Sequence, residues 1–163
     1  MEAAVALIRI AGTPPEYLIL RRAVNEADPW SGHFSLPGGR REAGDADLLA
    51  TCLRETWEEC GVALPLSALV RALPVTVAGS VVGRMSPVSP FLFELPERPG
   101  LVLDGGEISA SRWVTADYLL DRGNHAMAAT LAREPERRFP CIRLDDGYIW
   151  GFTYQVLQGL LRF

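Results

Sequence analysis

At 163 residues the chain fits one domain with one core, and folding at that size buries enough apolar surface that no disulfide or metal staple is required. A net charge of −4 speaks against a dedicated nucleic-acid binder, which carries a basic surplus, and a composition of 48% hydrophobic and 22% charged residues is that of an ordinary globular protein. Cys52, Cys60 and Cys141 form no CxxC pair, the opening MEAAVALIRIAG lacks the basic start of a signal peptide, and no apolar run is long enough to span a bilayer. The expectation is therefore a single domain over 1–163, cytoplasmic, with reduced thiols and with neither a membrane nor a nucleic acid as partner.

In chain order, residues 3–10 and 17–21 read as two strands around a GTPPE turn. Residues 22–35 are polar and irregular, with Asp28-Pro29 and Ser31-Gly32 as turn signals. After Pro37-Gly38-Gly39 a loop leads to a helix from about 47 to 60, closed by Gly61. Leu49, Leu53, Thr56 and Cys60 recur at helical spacing and should face the core. Residues 70–77 and 81–95 read as strands joined by Ala78-Gly79-Ser80, the second split or at an edge because Pro87 and Pro90 interrupt it. A loop over 94–106 follows, then a strand over 108–114, a short helix over 116–120 and a helix over 124–133. A hairpin over 142–149 turns at Asp145-Asp146-Gly147, and a last helix covers 154–161. Strands and helices mix without strict alternation, which favours a mixed sheet flanked by helices.

The predicted helix over 47–60 carries the chemistry. Residues three and four apart on a helix are neighbours, so Glu55 sits beside both Glu58 and Glu59. Hard divalent cations take oxygen ligands, and magnesium is held by a few carboxylates together with substrate phosphates. Such a cluster also orients a water and takes its proton. A lone ExxEE is more often a solvated face. Here it follows a Pro-Gly-Gly turn, where a backbone carbonyl can approach a ligand unshielded. Arg21, Arg22, Arg40 and Arg41 crowd the approach, and guanidinium groups recognise phosphate oxygens. Trp30, Phe34, Trp150, His33 and His125 read as core or surface residues.

These residues resemble the Nudix box, a glycine, five residues, a glutamate, seven residues, then R-E-U-x-E-E-x-G-U with U apolar. Gly39 opens the match, and Arg54, Glu55, Glu58, Glu59, Gly61 and Val62 close it, with Thr56 in the first apolar slot. Asp45 stands in place of the first glutamate, and eight residues separate it from Arg54. The same extra residue, the run Thr51-Cys52-Leu53-Arg54-Glu55-Thr56, the segment GHFSLPGG and the late Ile149-Trp150-Gly151 are similar to a subgroup of coenzyme A pyrophosphatases. That subgroup carries an arginine where this chain has Asp28. The resemblance implies the Nudix α/β/α sandwich with a mixed β-sheet. It also implies metal-dependent hydrolysis of a pyrophosphate bond in a nucleotide-type small molecule, with Mg2+ or Mn2+. The substrate implied is coenzyme A or a derivative; alternatives are ADP-ribose, nucleotide sugars or nucleoside triphosphates, and a silent Nudix-shaped sensing module. Glu55, Glu58 and Glu59 match the metal-binding acids, the Gly38 carbonyl would complete their shell, Arg54 matches the residue that holds the glutamates, and Glu107 matches a late acid used as an extra ligand or base; the proton of the attacking water would go to Glu58 or Glu107. The substrate-binding arginines would be Arg21, Arg22, Arg40 and Arg41, and a homodimer is the common assembly of the family.

Overall fold

The computed structural model describes residues 2–25, 30–79, 85–131 and 134–163. The turn signal at Asp28-Pro29 and the position of Asp28, part of the strand expected over 81–95, and the end of the helix expected over 124–133 lie outside the described residues.

Strand β1, Ala3–Ile10, is buried on both faces, which explains its unbroken apolar run. Ala4, Ala6 and Ile8 face one layer, while Val5 and Leu7 face the other. One edge of β1 is shared by two antiparallel partners: β2 (Glu16–Arg22) at its end and Gly38–Arg40 (β4) at its start. The other edge pairs in parallel with β7 (Ser86–Leu95) along the whole strand. β7 continues antiparallel to β5 (Leu69–Ala72) and β6 (Thr76–Ala78), and β2 to β3 (Phe34–Ser35) and β8 (Ile108–Thr115). One parallel pair among antiparallel ones makes the sheet mixed, as the sequence predicts.

Helix α1, Leu48–Cys60, covers one face of this sheet. The short α2 (Ala116–Leu120) and the C-terminal α3 (Gly151–Leu161) cover the other. Fully buried Leu7, Ile8, Leu18, Ile19, Leu20 and Phe93 sit at the two interfaces, each worth about 1.5–3 kcal/mol of burial. A second antiparallel sheet, β9 (His125–Ala128), β10 (Phe139–Leu144) and β11 (Gly147–Trp150), has its own small apolar cluster around Leu131, Cys141 and Trp150.

Five expectations are corrected. From Val88 onward β7 runs unbroken between β1 and β5/β6, so Pro90 neither splits it nor puts it at an edge, whereas Pro87 precedes the pairing with β1 and is matched to Val77 of β6. The Pro90 carbonyl accepts from Leu73 N–H, so its missing N–H faces the gap between β5 and β6, where no ladder bond is required. That gap also divides the single strand expected over 70–77. Residues 125–128 form β9 instead of a helix, because their pairing with β10 overrides the helix propensity of Ala126-Met127-Ala128. Gly38 and Gly39 of the expected Pro-Gly-Gly turn, with Arg40 of the loop expected after it, form a strand of the main sheet. The buried face of α1 is rotated slightly, with Thr51, Cys52, Thr56, Glu59 and Cys60 buried and Leu49 and Leu53 only partly so.

Candidate active site

Helix α1 starts where Asp47 accepts from Ala50 N–H at 2.8 Å and ends at Gly61, whose φ of 69° is left-handed. Thr56, in a slot the Nudix pattern fills with an apolar residue, is fully buried. Its hydroxyl donates to the Cys52 carbonyl at 2.7 Å, so the polar group is satisfied within the helix and the site is undisturbed.

The acids occupy one flank of α1 but different environments. Glu59 is only 5% exposed, and its carboxylate accepts from Gly38 N–H at 2.9 Å. Burial pushes its pKa up to about 8; the Gly38 N–H and Arg22 oppose the rise, while Glu55 and Glu107 add to it. Glu55 is also raised, first by burial, although Arg54 pulls it down. Its carboxylate lies directly against the Cα of Gly39, where any Cβ would collide with it. Glu58 is more open, with 53% of its side chain exposed.

Gly38 explains the glycine pair further. Its φ is 143°, and a Cβ there would strike the Ala4 carbonyl and come within 2.6 Å of Val5 Cα. Ala6 N–H donates to the Pro37 carbonyl at 2.8 Å, so Gly38 and Val5 form a pair whose own peptide groups are not bonded to each other. That leaves the Gly38 N–H for Glu59.

Arg54 organises the outer side. Its Nη1 donates to Glu55 at 3.0 Å and Glu58 at 2.8 Å, its Nη2 to the Arg40 carbonyl at 3.1 Å. Its Nε and Nη2 fork onto both oxygens of Asp45, each at 2.9 Å. The Arg54 bonds hold the Asp45 carboxyl well below the usual range, helped by Glu42 N–H and the Thr51 hydroxyl. Sequence reading gave Asp45 no part in the site. Its place as the first acid of the box was the available signal, but the path of the loop that folds it back onto Arg54 was not legible.

The four arginines do not converge. Arg22 is on the side of the acids, since its charge acts on Glu59. Arg21, one residue earlier in β2, points to the opposite face, as alternate strand residues must. There it pairs with Asp146 at 2.9 Å, donates to the Gly32 carbonyl and lies over Phe34. Arg41 pairs with Glu2 at 3.4 Å and braces the Ala46 carbonyl at 3.0 Å. Arg40 lends Arg54 its carbonyl and has an exposed side chain. Glu107 is exposed, in the loop before β8, and its charge reaches Glu55 and Glu59.

Among the described residues no three ligand side chains already close on one point. Glu55 and Glu58 turn to Arg54, and Glu59 to Gly38. The donor set nonetheless suits a hard divalent cation. It is all oxygen, and Glu59 is a buried carboxyl whose pKa burial raises despite its N–H donor and the charge of Arg22. Among the described residues no helix is long and apolar enough to cross a membrane.

The NUDIX domain model matches residues 1–134. An uncharacterized protein of Schizosaccharomyces pombe is 34% identical over 77% of this chain, which spans only 40% of that relative's length. The uncharacterized Nudix hydrolase NudL of Yersinia pestis is 26% identical over 98% of this chain and 78% of its own. The NUDIX domain of Shewanella oneidensis NrtR, solved with ADP ribose, superposes with a TM-score of 0.60 at 19% identity, over 74% of this chain and 75% of that one. A family model that covers most of the chain, and a fold and acidic helix that agree with it, place this chain in the NUDIX domain family.

Proposed function

We propose that the chain, acting as one domain over 1–163, hydrolyses a pyrophosphate bond in a nucleoside diphosphate-linked small molecule with Mg2+ or Mn2+. The observation that carries this reading is Glu59: a carboxylate buried against Gly38 N–H beside Glu55 and within reach of Glu107's charge. Glu55, Glu58, Glu59 and the Gly38 carbonyl are the proposed ligands. A divalent cation held there supplies charge to phosphoryl oxygens and lowers the pKa of a bound water.

The chain's own groups do the rest. Arg54 and Asp45 hold Glu55 and Glu58 from the outside and keep the two acids from splaying apart. Glu58, the most open of the three, takes the proton of the attacking water on its carboxylate, with Glu107 the second candidate. Arg22, whose charge acts on Glu59, and the exposed Arg40 meet the phosphate that does not react; Arg21 and Arg41, held by Asp146 and Glu2, act through the fold. No protein nucleophile is involved, and the three cysteines are buried and free, in keeping with a reducing, cytoplasmic setting.

Coenzyme A or its derivatives are the first substrate class, supported by the match to that subgroup at GHFSLPGG, TCLRET and Ile149-Trp150-Gly151. ADP-ribose is the second, favoured by Asp28 in place of the subgroup's arginine and by the likeness to a NUDIX domain solved with ADP ribose. A panel of coenzyme A, its thioesters, ADP-ribose, dinucleoside polyphosphates and nucleoside triphosphates, with products read by mass spectrometry, decides between them. Release of 3′,5′-ADP and phosphopantetheine assigns the first class, and AMP with ribose 5-phosphate the second. Turnover that survives Glu59→Gln would overturn the site. Nucleotide binding without turnover of any compound would make the chain a sensing module.

A further inference from the structure

The loop between β7 and β8 is tied down at three points. Near its start Arg98 forks onto Glu16 with bonds of 2.8 and 2.6 Å and lies over the Trp113 ring. In its middle it runs along the end of α1. There Val102 N–H donates to the Cys60 carbonyl at 2.9 Å and Asp104 N–H to the Glu59 carbonyl at 3.0 Å. Carbonyls of a helix's last turn have no partner inside the helix. The loop therefore caps the same turn whose side chain, Glu59, enters the acidic cleft.

At Asp104 the chain turns. Its carboxylate accepts from Gly106 N–H at 2.9 Å, and its carbonyl accepts from Glu107 N–H at 3.1 Å and Ile108 N–H at 2.7 Å. The Glu107 carbonyl in turn accepts from Ala23 N–H at 2.7 Å, one residue beyond Arg22. The backbone of Glu107 is thus fixed by α1, β2 and the Asp104 turn together, and its charge is felt at both Glu55 and Glu59.

The geometry points to Asp104 as a positioning residue that joins the main chain of Glu59 to that of Glu107 through one side-chain-capped turn, and so sets a fourth carboxylate at the cleft. This rests on reading the acid cluster as a divalent-cation site. Asp104 is exposed and its side chain supports no core packing. A merely structural turn residue would leave cation affinity untouched.

The test titrates Mn2+ alone into the full chain and follows free Mn2+ by electron paramagnetic resonance, with melts in EDTA to confirm folding. Glu107→Gln should weaken Mn2+ binding roughly tenfold, and Asp104→Ala by a comparable factor, in the range found when supporting residues of metal sites are removed. Asp104→Asn should stay within about twofold of wild type, because its amide oxygen still accepts from Gly106 N–H. The double variant Asp104→Ala, Glu107→Gln should bind no worse than Glu107→Gln alone. With a substrate in hand, kcat should follow the same order at unchanged KM. Wild-type affinity in Asp104→Ala, equal damage from Asn and Ala, or losses that multiply in the double variant would each overturn the assignment. If Glu59→Gln abolishes Mn2+ binding while Glu107→Gln leaves it intact, the cation site stands and the Asp104 inference falls. If Glu59→Gln has no effect on Mn2+ binding, the cation reading itself fails.

Discussion

Replacing Glu59 with glutamine should make the metal-free protein more stable and inactive at once. Its carboxyl is displaced from an ordinary 4.5 to about 8, chiefly by burial. At 1.36 kcal/mol per pH decade this handicaps the folded state by about 3 kcal/mol at pH 7 and about 5 kcal/mol above pH 8. The sign follows from the direction. A carboxyl raised on folding favours the fold fully below pH 4.5, and that contribution is lost as pH climbs through 8. Glutamine carries no charge and its amide oxygen can keep the Gly38 N–H bond, although its NH2 costs about 1–2 kcal/mol if it finds no acceptor. The net gain at pH 7 is about 1–2 kcal/mol, or roughly 3–6 °C in Tm for a chain of this size. Thermal melts in EDTA between pH 5 and 8 measure it: wild type should lose stability across this range and Glu59→Gln should lose much less. Adding Mn2+ should then stabilise wild type, by about 2.7 kcal/mol at a hundred times Kd, and leave the variant unmoved. Parallel pH profiles for the two proteins would refute the raised carboxyl, and an equal Mn2+ response would refute its proposed role in holding a cation.

Three further outcomes test the frame around that residue. Gly38→Ala should cost about 3 kcal/mol or more, from its positive φ and the collision with the Ala4 carbonyl, whereas Gly44→Ala, with open space around it, should fall within about 0.5 kcal/mol of wild type by urea denaturation. Arg54→Met should lower kcat by about a hundredfold by releasing Glu55 and Glu58, with Arg54→Lys only partly restoring it, since an ammonium cannot fork onto Asp45; full activity in Arg54→Met would show the acids hold themselves. Cys52 and Cys60, buried and pushed up to about 12 and 11, and Cys141, also raised by burial, should resist Ellman's reagent at pH 8 until denaturant exposes all three; rapid labelling of the native protein would contradict the packing of α1.

The strands of the main sheet were legible where period and burial agree. β1 and β2 carry apolar runs around a turn, and α1 has a cap at each end that its sequence announces. The misreadings share one cause: partners distant in sequence. Nothing local shows that Pro90 faces a break between two neighbouring strands, or that Ala126-Met127-Ala128 will be captured by β10 before it can close a helical turn. Local propensity is worth tenths of a kcal/mol per residue there, and a completed ladder outweighs it.

For the site the division falls elsewhere. Spacing alone put Glu55, Glu58 and Glu59 on one helix flank and Pro37-Gly38-Gly39 beside them, and both features survive in three dimensions. Spacing could not say that three carboxylates would enter three environments: one buried on an N–H, one against a glycine and one open on an arginine. Nor could proximity in sequence sort the arginines. Arg21 and Arg22 are adjacent, yet a strand sends them to opposite faces, so that one answers Asp146 in the far hairpin and the other Glu59. What distinguishes a metal cleft from a solvated ExxEE face is therefore not the number of acids. It is that the fold withdraws one of them from water and burial raises its pKa, the feature on which the proposed cation site rests.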